Sequence, residues 1–121
     1  MSDPYDVAIV GLGPVGAMLA LLLKEQGVRT LVIERDTEVQ PFPRAAHFDD
    51  EAIRVYQAVG LAQLSEAMGN PPRYQYYDKD WRPFLARLFP VGISDQSFKY
   101  DFMFYQPDVE RAMRARLFDG T

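Results

Sequence analysis

Val7-Ala8-Ile9-Val10 runs straight into Gly11-Leu12-Gly13-Pro14-Val15-Gly16 and then into an apolar stretch from Ala17 to Leu23. The order reads as a buried strand, a glycine turn and a helix. Each glycine has a separate task. Gly11 permits the tight turn off the strand, Gly13 lets the backbone approach a pyrophosphate, and Gly16 lets the helix pack close to the strand. The free N–H groups and positive dipole end of the helix then face the anion, so a phosphate bound there needs no lysine.

Glycines at this spacing are common, and the context decides their weight. A second apolar strand, Thr30-Leu31-Val32-Ile33, follows the helix and ends on Glu34, 18 residues past Gly16. A ribose-binding acid is expected about 20 residues on, so the whole βαβ unit is present. A carboxylate at that strand tip accepts both hydroxyls of an adenosine ribose and repels a 2′-phosphate. The ligand this implies is FAD or NAD rather than NADP; an ordinary strand-end glutamate with no ligand satisfies the same spacing.

The helix is expected from about Gly13 to Gln26, with Val15, Met18, Leu19, Leu22 and Leu23 as its core-facing stripe and Gly27 closing it. After Glu34 the charged segment Arg35 to Arg44 carries Pro41 and Pro43, which disfavour helix and make it a loop beside the ligand. Arg44 is positioned to reach back over the pyrophosphate, where a guanidinium would neutralise charge; an exposed loop arginine is the other reading. His47 reads as a structural or solvated loop residue. Asp49, Asp50 and Glu51 supply cap and first-turn acids for a helix to about Val59, with Ile53, Tyr56 and Val59 inward and Gly60 ending it. A shorter helix from Leu61 to Met68 stops at Gly69, and Asn70-Pro71-Pro72 marks a boundary.

Beyond it the chain is aromatic and strand-like. Arg73 to Tyr77, a turn at Asp78-Lys79-Asp80 and Arg82 to Phe89 form a hairpin pattern. Phe98, Tyr100, Phe102 and Phe104 alternate with Ser97, Lys99, Asp101 and Met103, the period of a half-buried strand. These aromatics either line a substrate pocket or pack as ordinary strand residues do. Gln106-Pro107 opens a last helix, with Val109, Ala112, Met113, Arg116 and Leu117 as its inner stripe.

A length of 121 residues with 48% hydrophobic composition supports one core and no more than one complete domain. A doubly wound dinucleotide domain needs more strands than these, so the chain reads as incomplete. The net charge of -4 and pI near 4.9 argue against nucleic acid and anionic membrane surfaces as partners and favour small molecules. There is no cysteine and only one histidine, which removes disulfides, thiolate chemistry and histidine-rich metal sites; no metal is expected. The acidic start and the lack of a long apolar run fit a cytoplasmic protein.

Three stretches together resemble the N-terminal part of the FAD-dependent aromatic hydroxylases, the class A flavoprotein monooxygenases. The first is Asp6 to Gly16 with Glu34-Arg35. The second is Pro43-Arg44-Ala45-Ala46-His47-Phe48-Asp49-Asp50-Glu51-Ala52 with Val55 to Leu61, most similar to the 3-(3-hydroxyphenyl)propionate hydroxylases. The third is Gln106-Pro107-Asp108-Val109-Glu110. The resemblance implies an α/β fold: the βαβ portion of a Rossmann-like FAD-binding domain over residues 1–70, the start of a β-rich substrate-domain excursion over 71–105, and a helix returning to the FAD domain over 106–121. It implies that Gly11, Gly13, Pro14, Val15 and Gly16 hold the FAD pyrophosphate, Glu34 with Arg35 the adenosine ribose end, and Arg44 and Gln106 the phosphate and ribityl region. In such enzymes NAD(P)H reduces FAD and oxygen then supplies a hydroxyl to a phenolic substrate, while the protein orients and shields. The family's later Asp-Gly and Gly-Asp-Ala motifs are absent here, so these 121 residues alone are not expected to hydroxylate, and no catalytic residue is assigned. Part of a hydroxylase, an NAD-dependent Rossmann enzyme and a small non-catalytic nucleotide-binding module remain the three readings.

Overall fold

The computed structural model describes residues 4–119. Strand β1 (Val7–Val10), helix α1 (Pro14–Glu25) and strand β2 (Thr30–Ile33) form the expected unit, with β1 and β2 parallel and Val7 opposite Thr30 through Val10 opposite Ile33. Gly11 turns the chain off β1 at φ +99°, a conformation that favours glycine, and donates its N–H to Ile33 O at 2.7 Å. Pro14 suits the first helical position because no N–H is required there. At the other end Gly27, at φ +70°, lets its own N–H reach Lys24 O and that of Val28 reach Leu23 O, each at 3.0 Å. Those two bonds satisfy the final carbonyls and release the chain into β2.

The face that α1 buries matches the expected stripe only in part. Met18, Leu22 and Leu23 pack against the core, but its buried centre is Ala17, Ala20 and Leu21, whereas Val15 is 83% exposed and Leu19 lies partly in solvent. The helix is apolar nearly all round from Val15 to Leu23, so periodicity alone did not select a face; the small Ala17 and Ala20 permit the closest approach and win. The strands also differ from the fully buried reading. Ile9 points into the core, while Val10 is 84% exposed and Ile33 about half exposed, because among the described residues helices cover only one face of this sheet.

Asp49 caps helix α2 (Asp50–Ala58) by accepting from Ala52 N at 2.8 Å, and Ile53, Tyr56 and Val59 are buried as expected. The segment after it is a 3-10 turn, Ala62–Ala67. Helix α3 (Gln106–Phe118) packs against α1, and Val109, Met113 and Leu117 join Ile9, Leu21, Tyr56 and Val59 in one core. Lys24 at the end of α1 donates to Leu117 O at 2.7 Å and Asp119 O at 3.0 Å, so one cation closes the C-terminus of the neighbouring helix.

Two antiparallel pairs complete the fold. Strand β3 (His47–Asp49) pairs with β6 (Asp101–Met103), and β4 (Arg73–Tyr77) with β5 (Pro83–Leu88). The hairpin turn is made by Asp78, whose Oδ1 accepts from Asp80 N and Arg82 N at 2.8 and 2.9 Å. The strand expected over residues 97–104 contracts to three residues; the alternation holds in burial, with Ser97, Lys99 and Met103 exposed and the aromatics half-buried or buried, except that Asp101 is buried alongside Phe102. Pairing with β3, a strand the local pattern did not announce, fixes its length. No helix among the described residues is long and apolar enough to cross a membrane.

Candidate functional site

The glycine turn shows why each small residue is there. A Cβ on Gly16 would overlap the Gly11 carbonyl and press on Ile9 Cγ2 at 3.4 Å, so Gly16 sets how closely α1 meets β1. A Cβ on Gly13 would meet nothing within 4 Å. Space is therefore open over the first turn of α1, where Val15 and Gly16 have no earlier helical carbonyl to bond and Pro14 has no N–H to offer. Backbone donors and the positive helix end face that space, the arrangement that binds an anion.

Glu34 sits beside this turn and helps to build it. Its Oε2 accepts from Leu12 N at 2.5 Å, and its Oε1 from Arg35 N at 2.6 Å and Asp36 N at 3.0 Å. The backbone N–H of Asp36, followed by that of Leu12, holds the carboxyl below its ordinary pKa. Oε1 is saturated by its two donors, while Oε2 keeps one lone pair for a further hydroxyl. Arg35 turns to Asp36, pairing Nε with Oδ1 at 3.2 Å and Nη2 with Oδ2 at 3.1 Å. On the other side Arg114 of α3 donates to Leu12 O at 3.1 Å and Thr37 O at 3.3 Å, stapling the glycine turn to the loop after β2. A cavity of about 760 Å³ runs from Glu34 and Asp36 past Arg114 and along Val32 and Thr30 of β2 to Lys24 of α1.

Gln106 reaches the Arg44 segment through backbone rather than side chain. Its Oε1 accepts from Arg44 N and Ala45 N, both at 2.8 Å, and its Nε2 donates to Glu110 Oε1 at 2.6 Å. Gln106 and Glu110 are both buried. Phe104 N adds a bond to Ala46 O at 3.0 Å. The Arg44 backbone is thus pinned while its side chain stays exposed, with no bonded partner among the described residues. The structure brings Gly11, Gly13, Pro14, Val15, Gly16, Glu34 and Arg35 to one end of β1 and β2, and it joins Arg44 to Gln106.

Arg114 and Glu110 were not singled out from the sequence. Gln106, Glu110 and Arg114 recur at a spacing of four, a polar stripe along a helix whose other inward residues are apolar. That stripe was the available signal. A second polar cluster also went unread: the Nε2 of His47 lies against Asp101 Oδ1, and Tyr74 OH donates to Asp101 Oδ2 at 2.9 Å. The His47 side chain is 41% exposed and that of Asp101 only 2%.

Residues 4–118 match the FAD binding domain family. The sequence is 37% identical over 114 residues to 3-(3-hydroxy-phenyl)propionate/3-hydroxycinnamic acid hydroxylase of Mycobacterium sp. (strain JLS), covering 93% of this chain and 20% of that protein. It is 57% identical over 58 residues to 3-(3-hydroxy-phenyl)propionate/3-hydroxycinnamic acid hydroxylase 1 of Burkholderia vietnamiensis (strain G4 / LMG 22486), covering 48% of this chain and 9% of the relative. The crystal structure of p-nitrophenol 4-monooxygenase PnpA from Pseudomonas putida DLL-E4 aligns with a TM-score of 0.80 at 26% identity, over 97% of this chain and 30% of that one. Aklavinone-11 hydroxylase, solved with FAD and aklavinone, shares the fold at a TM-score of 0.68 and 24% identity, over 97% of this chain and 24% of that one. The chain thus spans a fifth or less of the length of these curated relatives.

Proposed function

The chain belongs to the FAD binding domain family, and from that premise we propose that it supplies the cofactor-binding part of a longer hydroxylase acting on phenolic aromatic acids. NAD(P)H is the reductant and O2 the co-substrate in this reading. The observation that carries it is the open space over Gly13, bounded by the N-terminal turn of α1 and the Glu34 carboxylate. Those features fit a dinucleotide: a phosphate needs the space and the unpaired N–H groups, and a ribose needs an acceptor with a lone pair to spare.

Each residue has a distinct task. The N–H groups of Val15 and Gly16 bind the pyrophosphate, with Gly11 and Pro14 shaping the turn that presents them. Glu34 Oε2 accepts a ribose hydroxyl while bracing Leu12, and Arg35, paired to Asp36, flanks that end. Arg44 neutralises phosphate charge from across the site, and Gln106 acts on the cofactor through the segment it pins. Bound FAD supplies the redox and oxygen-transfer chemistry; the chain's residues bind, orient and exclude water. Residues 71–105, with the β4–β5 hairpin, form the first excursion toward a substrate side. The exposed Val10 and Ile33 support a longer polypeptide, since further structure over that face would remove them from water. An acidic chain without cysteine fits a cytoplasmic enzyme.

The test is oxidation of NADH or NADPH by the flavin-loaded protein with and without 3-(3-hydroxyphenyl)propionate, with products identified by mass. Phenol-dependent oxidation with a product heavier by one oxygen is expected. Nicotinamide oxidation that leaves the phenol unchanged, with every phenol tried, would refute the substrate class.

A further inference from the structure

We infer that Glu110 is a positioning residue of the cofactor site: its carboxylate holds the Gln106 amide in the one orientation that fixes the Arg44 segment, and so places the Arg44 side chain that meets the phosphate. The inference rests on the FAD reading above and adds a residue that does not itself touch the ligand.

Gln106 and Glu110 lie one turn apart on α3, and helical side chains lean toward the N-terminus, so Glu110 reaches back onto Gln106. Glu110 Oε1 accepts from Gln106 Nε2 at 2.6 Å, while Gln106 Oε1 accepts from Arg44 N and Ala45 N, both at 2.8 Å. A glutamine amide can present either end, and its long side chain has rotamer freedom to lose. Here all three contacts agree on one orientation. Reversed, the amide would set its N–H groups against those of Arg44 and Ala45, and its oxygen against a carboxylate. Glu110 and Gln106 are 4% and 5% exposed, so water is poorly placed to replace a lost bond. A carboxylate is costly to bury, and an apolar side chain would serve core packing better. The bond to Gln106 accounts for its being there. The Tyr56 hydroxyl of α2 has its pKa pushed up to about 12, by burial first and then by the Glu110 charge, so it stays protonated and adds no second charge.

The same helix also holds the glycine turn. Arg114, eight residues past Gln106, donates to Leu12 O at 3.1 Å. Those eight residues span about 12 Å of helix. Helix α3 thus carries the Arg44 segment at its first turn and the glycine turn about two turns further on, and the Gln106 amide sets where Arg44 stands relative to the phosphate site. Phe104 N donates to Ala46 O and Tyr105 OH to Pro41 O, each at 3.0 Å, which holds the flanks of the segment. Gln106 meets the Arg44 backbone itself, and the exposed guanidinium keeps its donors for a phosphate.

The test is a double-mutant cycle on FAD affinity, read by quenching of flavin fluorescence with the purified protein containing this chain. Arg44→Ala should weaken FAD binding about 10- to 100-fold, the scale of one charge-assisted bond. Glu110→Asp keeps the charge but draws the oxygen back from Gln106, and should weaken binding about 10-fold. Added to Arg44→Ala, Glu110→Asp should cause no further loss, because the residue it acts through is gone. Glu110→Gln keeps the reach and loses the charge; its amide oxygen still accepts from Gln106, so it should retain more affinity than Glu110→Asp. Before FAD is added, amide exchange at Arg44 and Ala45 should be slow in wild type, intermediate in Glu110→Gln and fast in Glu110→Asp. Losses that multiply in the double variant, or both amides as protected in Glu110→Asp as in wild type, overturn the inference and leave the FAD site standing. A Glu110→Gln protein as impaired as Glu110→Asp assigns the effect to buried charge and overturns it as well. Should Glu110→Asp not fold, the cycle of Glu110→Gln with Arg44→Ala decides between losses that multiply and losses that do not. FAD affinity unchanged by Arg44→Ala also overturns the inference, and wild type that takes up no FAD overturns the FAD reading with it.

Discussion

Gln106→Leu removes the side chain that joins α3 to the Arg44 segment while keeping most of its volume. Three bonds go: the acceptor for Arg44 N and Ala45 N, and the donor to Glu110. The two backbone N–H groups are only part-buried, so water replaces some of the loss, and about 1 kcal/mol each is the reasonable scale. Glu110 is 4% exposed and loses a charge-assisted partner at 2.6 Å, which costs about 1.5 to 3 kcal/mol. The sum, about 3 to 5 kcal/mol, is a large share of the roughly 5 to 15 kcal/mol by which domains are stable. In urea, with a slope of about 1 to 3 kcal/mol per molar, the far-UV CD midpoint should fall by on the order of 2 M. Amide exchange localises the effect: Arg44 and Ala45 should exchange slowly in wild type and rapidly in the variant, and FAD should bind more weakly because Arg44 is no longer placed. A stability loss under about 1 kcal/mol with both amides still protected would refute the brace.

Gly13→Val should leave the CD spectrum and melting temperature nearly unchanged, since a Cβ there meets no protein atom within 4 Å, yet give protein without flavin absorbance; retained flavin would show that the space is not a phosphate cradle. Lys24→Met should lower stability by about 1 kcal/mol, read as a modest drop in melting temperature, through loss of the cation closing α3. Glu34 has its carboxyl pKa lowered on folding, so its contribution is present above the ordinary value of 4.5 and fades only as pH falls through the lower folded value. The Leu12 amide should therefore remain protected from exchange at pH 4.5 and lose protection in more acid solution, whereas in Glu34→Gln that acid-dependent loss should vanish.

The βαβ unit was legible because its signals are local and redundant: glycines at fixed offsets, a strand on each side, and Glu34 at the second tip. The hairpin was legible for the same reason, Asp78 supplying the turn by its own side chain. What escaped depends on distant partners. An unbroken apolar run hid which face α1 buries, and small Ala17 and Ala20 matter only once another surface is beside them. Strand β3 is three residues long and exists through its pairing with β6, so no periodicity could reveal it. The same pairing converts Asp101 from an apparent solvent-facing residue into the buried partner of His47. The candidate site divides likewise. The glycines and Glu34 follow from spacing, but Gln106 as a backbone brace and Arg114 as a staple follow from α3 folding back on the turn.

The central claim is that the space over Gly13, with Glu34 beside it, is an FAD site. The most direct measurement is the flavin content of the purified protein containing this chain, taken from its visible spectrum and from the chromophore released by acid. One FAD per chain, released in acid and rebound tightly at neutral pH, is the expected result. Colourless protein that takes up no FAD, and instead shows fluorescence quenching on titration with NADH, would contradict it.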